Sequence, residues 1–143
     1  MNINTLVRLL FAACLVLSMT ITHAQTLHVD VFTTHALPVT RSQSVTANVY
    51  FLDEPARLIA QLEKDLPNTL EEAKAIALDR INRQNQRWVK QMNKHYKGVI
   101  SAWSSHVAYL PAIVINDQYV IYGVYDIDQA LSIYQDSIDE ARP

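Results

Sequence analysis

The chain has 143 residues, half of them hydrophobic, with a formal net charge of -2. That balance excludes the strongly basic surface by which a protein holds nucleic acid or an anionic membrane as its main partner, and the length suits one compact domain.

The first two dozen residues differ from the rest. "MNINTLVR" carries one arginine, "LLFAACLVLSMTI" is apolar, and "THA" supplies small residues before Gln25. This pattern predicts a secretory signal peptide over residues 1–24, cleaved after Ala24, and a single domain over 25–143 in the periplasm. The apolar run is shorter than the roughly 18 residues a membrane helix needs, so no stable anchor is expected after cleavage. Cys14, the only cysteine, falls in the apolar run. Lipidation there would leave "LVLSMTI" as an apolar tail, so cleavage at Ala24 is preferred, and the exported chain then has no thiol for a disulfide, a nucleophile or a Cys-ligated metal.

Beyond the leader, "TLHVDVF" (Thr26 to Phe32) alternates, with Leu27, Val29 and Val31 on one face and His28, Asp30 and Phe32 on the other, as in a strand. "VTANVYFL" (Val45 to Leu52) reads as a second strand. The polar link "THALPVTRSQS" is close to the shortest crossover that parallel strands allow, with room for a short helical turn. Asp53 is placed to cap a helix with Pro55 in its first turn and Leu58, Ile59, Leu62 and Leu66 as its stripe; Pro67 stops it.

Thr69 and Glu72 have capping-box spacing at the head of the longest periodic segment. Its apolar positions are Leu70, Ala73, Ala77, Ile81, then, past a polar gap, Trp88, Met92, Tyr96, Val99 and Trp103. A straight helix over that span would be on the order of 50 Å long, against roughly 30 Å for a small domain. The retained phase favours a bend at "INRQNQR" (Ile81 to Arg87) that lets the helix roof the sheet, whereas a straight protruding helix would offer Trp88 and Trp103 to a partner.

"AIVI" (Ala112 to Ile115) is apolar throughout, as a central strand covered on both faces should be. Asn116 and Asp117 tolerate left-handed angles, so "QYVIYG" returns as a β-hairpin. Asp126 caps a last helix with Ile127, Ala130, Leu131, Tyr134 and Ile138 as its apolar stripe.

This order resembles a thioredoxin-like fold: α/β, with a mixed four-stranded sheet and an expanded helical insertion between strand 2 and the C-terminal ββα half. The resemblance implies a cis bond between Leu110 and Pro111, because thioredoxin-like proteins carry a cis-proline just before the strand that opens that half. Three motifs together, "VDVFTTHALPVT", "VYFLDEPARLIAQLEKDLP" and "YLPAIVINDQYVIYGVYDIDQAL", are similar to a family of small exported proteins encoded on integrating conjugative elements. That family goes with the type IV secretion machinery of conjugation. The resemblance implies a periplasmic accessory protein whose partners are protein components of the conjugation apparatus.

In redox-active thioredoxin-like proteins a C-x-x-C pair faces the cis-proline. The corresponding stretch here, "TTHALP" (Thr33 to Pro38), has no thiol, so disulfide exchange is excluded by chemistry. A groove for an extended peptide is then the candidate site, formed by Thr33, Thr34, His35, Leu110 and Pro111. No catalytic residue, metal or other cofactor is expected. The alternative from another class is a small metal-dependent or acid/base enzyme using His28, Asp30 and His35. His95 and His106 lack ligand spacing, no G-x-S-x-G is present, and Glu71 and Glu72 fit the first turn of a helix. Tyr109, Tyr119, Tyr122, Tyr125 and Tyr134 read as core and boundary residues of the C-terminal third, the alternative being a tyrosine-rich face of the kind a protein interface uses.

Overall fold

A computed structural model of the chain describes residues 27–84 and 86–142. The expected signal peptide and Cys14 lie outside the described residues. The sheet has four strands: β1 (Val29–Thr33), β2 (Asn48–Phe51), β3 (Ala112–Ile115) and β4 (Tyr119–Tyr122), in the spatial order β2-β1-β3-β4. β1 and β2 are parallel, β1 and β3 antiparallel, and β3 and β4 form an antiparallel hairpin. Helices α1 (Glu54–Glu63), α2 (Leu70–Arg83) and α3 (Arg87–Ser104) lie between β2 and β3, and α4 (Ile127–Glu140) follows β4. The mixed α/β sheet with an expanded helical connection is thus as expected, with β3 inside it.

Every residue of β1 and of β3 is buried. The alternation in β1 separates two cores instead of core from water. Val29 and Val31 pack with Ile113, Ile115, Ile127 and Ala130 on the α4 side. Phe32 packs with Ala112, Val114 and Ala102 on the α3 side. Each of the valines, isoleucines and Phe32 among these, fully buried, contributes about 1.5–3 kcal/mol of transfer free energy. Asp30, which the alternation sets on the same face as Phe32, is buried as well, at 5% exposed. Its position between β2 and β3, under helices on both sides, leaves β1 no solvent face.

The link from β1 to β2 contains no helix. A turn closed by Leu37 N–H on Thr34 C=O, 3.0 Å, starts it, and Thr40 then pairs with Asp126 at the head of α4, its N–H 2.7 Å from Tyr125 C=O. The chain is strung across to α4 by bridging hydrogen bonds, which a crossover this short can make without a helix of its own.

The long periodic segment breaks; it does not bend. Gln86 takes a left-handed conformation (φ 63°) and starts α3 after α2 has ended. The break falls inside the polar gap foreseen from the sequence, but the two pieces have different fates. α3 buries Met92, Gly98 and Ala102 and comes so close to β2 that a Cβ on Gly98 would lie 2.8 Å from Tyr50 Cδ1. α2 has no buried residue. Arg80 holds it to α1, donating from Nη1 to Leu62 C=O (2.7 Å) and Lys64 C=O (2.6 Å), where the carbonyls of a helix end need donors.

The C-terminal half follows its sequence closely. Asn116 and Asp117 have φ of 51° and 56°, and Gly123 has φ 71°. Asp126 accepts from Gln129 N–H at 2.9 Å, and Ile127 and Ala130 are buried beneath α4.

Candidate functional site

The bond between Leu110 and Pro111 is cis. Carried one residue beyond Phe32↔Ala112, the β1–β3 register sets Thr33 opposite Pro111, so the two ends of the expected groove do meet. Their side chains offer little to a ligand. Thr33 is fully buried, its hydroxyl donates to Leu37 C=O, and its carbonyl accepts from Leu52 N–H at 2.8 Å. Pro111 is buried, and its carbonyl accepts from Gly123 N–H at 3.1 Å. Leu110 packs against the core that holds Phe32 and Val114, and Thr34 is half-buried.

His35 is exposed but faces elsewhere. Its Nδ1 lies 3.0 Å from Asp53 Oδ1, its Nε2 3.4 Å from Glu54 Oε2, and its ring stacks on Phe51 with centroids 4.5 Å apart. The His35 backbone N–H adds a 3.3 Å hydrogen bond to the Asp53 carboxylate. Burial pushes the Asp53 carboxyl up, but the hydrogen bonds from the His35 ring and backbone, with the charge interaction, outweigh it and hold the group below its usual value. Asp53 is the N-cap residue of α1, yet its side chain makes no cap hydrogen bond. It ties the turn after β1 to the helix through His35.

At the other end of β1, His28 Nε2 lies 3.3 Å from Asp30 Oδ1 and 3.9 Å from Asp117 Oδ1. Asp30 also accepts from Asn48 Nδ2 at 2.8 Å. One ligand atom from each of His28, Asp30 and Asp117 falls within 4.8 Å of the others. The structure thus joins two of the three residues named for metal or acid/base chemistry, supplies Asp117 from the hairpin turn, and leaves His35 at the far end of the strand. Sequence spacing gave no sign of Asp117, which comes close only because β3 pairs with β1.

Two further surfaces lie away from the expected groove, the first unforeseen in the sequence and the second foreseen only at Trp103, as part of the alternative of a protruding helix. β2 is an edge strand with a groove on either side of it. One, of about 490 Å³, is lined by Arg41, Val45, Val49, Phe51 and Ile127; the other, of about 500 Å³, by Asn48, Tyr50, Phe51, Lys94 and His95. Burial, and secondarily the charge of Asp30, raises the Tyr50 phenol above its usual value, so it stays neutral in this wall. The second surface is the outer face of α3, where Tyr96, Ile100 (60% exposed) and Trp103 (81% exposed) recur at helical spacing. An amphipathic count assigned Tyr96 and Trp103 to the core, but the sheet beneath is already covered through Met92, Gly98 and Ala102.

Among the described residues no helix is long and apolar enough to cross a membrane. A family profile described as "Protein of unknown function (DUF1525)" matches residues 26–137. No curated protein and no solved structure matches the chain significantly.

Proposed function

The chain belongs to the DUF1525 family, and from that premise we propose that it is a periplasmic, non-catalytic accessory protein of an integrating conjugative element. In this reading it is exported by residues 1–24, has a thioredoxin-like fold, and supports the assembly or working of the conjugative type IV secretion system through protein contacts. The observation that carries protein contact is the outer face of α3. A tryptophan 81% exposed, in line with Ile100 and Tyr96, is the composition that binding hot spots use, and nothing among the described residues covers it. The absence of cysteine after Ala24 removes thiol exchange, and the Thr33 hydroxyl, opposite the cis-proline in the strand register, is buried and committed to Leu37 C=O. The setting in conjugation rests on the motifs between Val29 and Leu131.

The test is recovery of partners from donor cells that carry the element. Tagged protein should co-purify components of the conjugation apparatus, Trp103→Ala should lose them while remaining folded, and deletion of the gene should lower DNA transfer. Recovery of unrelated envelope proteins alone, with transfer unchanged, would sink the reading.

A second reading, a metal-dependent or acid/base enzyme, draws on the 3.3 Å approach of His28 to Asp30 and needs Asp117 in place of His35. Zinc titration discriminates: stoichiometric binding lost in His28→Ala supports it, and no binding retires it.

A further inference from the structure

We propose that the free edge of β2 receives an extended segment of a partner protein by strand addition, and that this segment alternates acidic with apolar side chains. The inference rests on the protein-contact reading above and names a surface distinct from the α3 stripe.

The edge comes first. Among the described residues β2 pairs with β1 on one side only, so alternate N–H and C=O groups of Asn48–Phe51 point outward without a strand partner there, as a template for another strand. Native edges are blunted by proline, by a bulge or by a charge on the strand; "NVYF" has none of these, and Val49 is exposed upon it.

The walls define what an added strand must carry. Successive side chains of such a strand point to opposite faces of the sheet. On the α4 face they would enter a mixed groove, in which Val45, Ala47, Val49, Phe51 and Ile127 supply the apolar part and Arg41, Ser42 and Thr46 the polar part. On the α3 face they would meet Lys94 and His95, with Arg87 and Lys90 lining the next groove along the same helix. α3 contains no aspartate or glutamate, and none of Arg87, Lys90 and Lys94 makes an ion pair among the described residues. Apolar contacts at Val45, Val49, Phe51 and Ile127 on one face of this edge and an unneutralised basic wall on the other favour a strand that alternates apolar with acidic side chains.

A second copy of this chain fits less well. It would bring the same basic walls, and the single acidic residue in its strands, Asp30, is buried.

The experiment uses purified protein and a fluorescent eight-residue peptide alternating glutamate with valine, read by polarisation, with a lysine–valine peptide as control. The acidic peptide should bind, more weakly at high salt, and Lys94→Glu should raise its Kd about tenfold with the circular dichroism unchanged. Amide shifts on binding should fall on Asn48–Phe51 and the facing side of α3. Equal binding of the lysine peptide, shifts confined to other elements, self-association through β2 in sedimentation, or displacement of the peptide by anionic vesicles would each overturn the proposal. Its failure is separable from failure of the conjugation role. If Lys94→Glu still recovers the partners from donor cells, this surface is wrong and the role stands; peptide binding in vitro with DNA transfer unaffected by gene deletion shows the reverse.

Discussion

α2 and α4 are both 14-residue helices with an apolar stripe, and the fold treats them differently. α4 buries Ile127 and Ala130 against β1 and β3, is capped by Asp126, and receives the link through the Thr40–Asp126 bridge. α2 buries no residue, its Leu70 is 79% exposed, and its tie to α1 is through Arg80 to two carbonyls. The sheet has two faces. α4 covers one and α3 the other, so α2 has no sheet surface left to cover. Periodicity reports which side of a helix is apolar; whether that side finds a partner is a property of the whole fold.

Mutations can break this contrast. Ile127→Ala should cost about 2–5 kcal/mol by urea denaturation, because it opens a cavity in the α4-side core. Leu78→Ala, on half-exposed α2, should stay within about 0.5 kcal/mol. Equal costs would mean that α2 is packed in solution. At the N-termini, Asp126→Ala should lose about 1 kcal/mol. Thr69→Ala should lose less, since its hydroxyl donates to Glu72 Oε2 and caps no backbone N–H.

Hydrogen exchange sharpens the same point. Amides of α2 should exchange well before those of α4, and Arg80→Ala should accelerate α2 selectively by releasing it from α1. Exchange of both helices in one cooperative unit would contradict the contrast.

The smallest effect is a pH dependence. Asp128, in the first turn of α4, is held below its usual pKa by the Ser42 hydroxyl, then by the Ser44 hydroxyl at 2.6 Å; desolvation opposes them, and the backbone N–H groups of Gln43 and Ser44 add smaller lowering contributions. Asp53 is lowered at the head of α1, as described. A carboxylate lowered on folding adds stability that is present above its unfolded pKa, about 3.9, and is lost as pH falls from there through the lowered folded value. Thermal stability should therefore drop below about pH 4. Asp53→Asn and Asp128→Asn should each flatten that acid limb.

The legible parts of the fold are those decided within a few residues. Asp126 with its Gln129 N–H, the left-handed pair Asn116 and Asp117, and the unbroken apolar run of β3 each carry their own geometry. The polar gap before Trp88 located the helix break for the same reason. The candidate groove was half legible: Thr33 and Pro111 do face each other, but burial of the Thr33 hydroxyl and capture of His35 by Asp53 depend on groups 4 and 18 residues away.

The sequence by itself determined the class of fold, the hairpin, the Asp126 cap and the absence of thiol chemistry after Ala24, because these follow from local backbone preference, periodicity and composition; the caps expected of Asp53 and Thr69 do not form. Tertiary structure alone decided that β1 is covered on both faces, that Asp117 joins His28 and Asp30, and that β2 is left as an open edge beside a basic helix. Those outcomes depend on which strands become neighbours, and pairing between distant segments is set by the burial of the whole sheet rather than by any one stretch of chain.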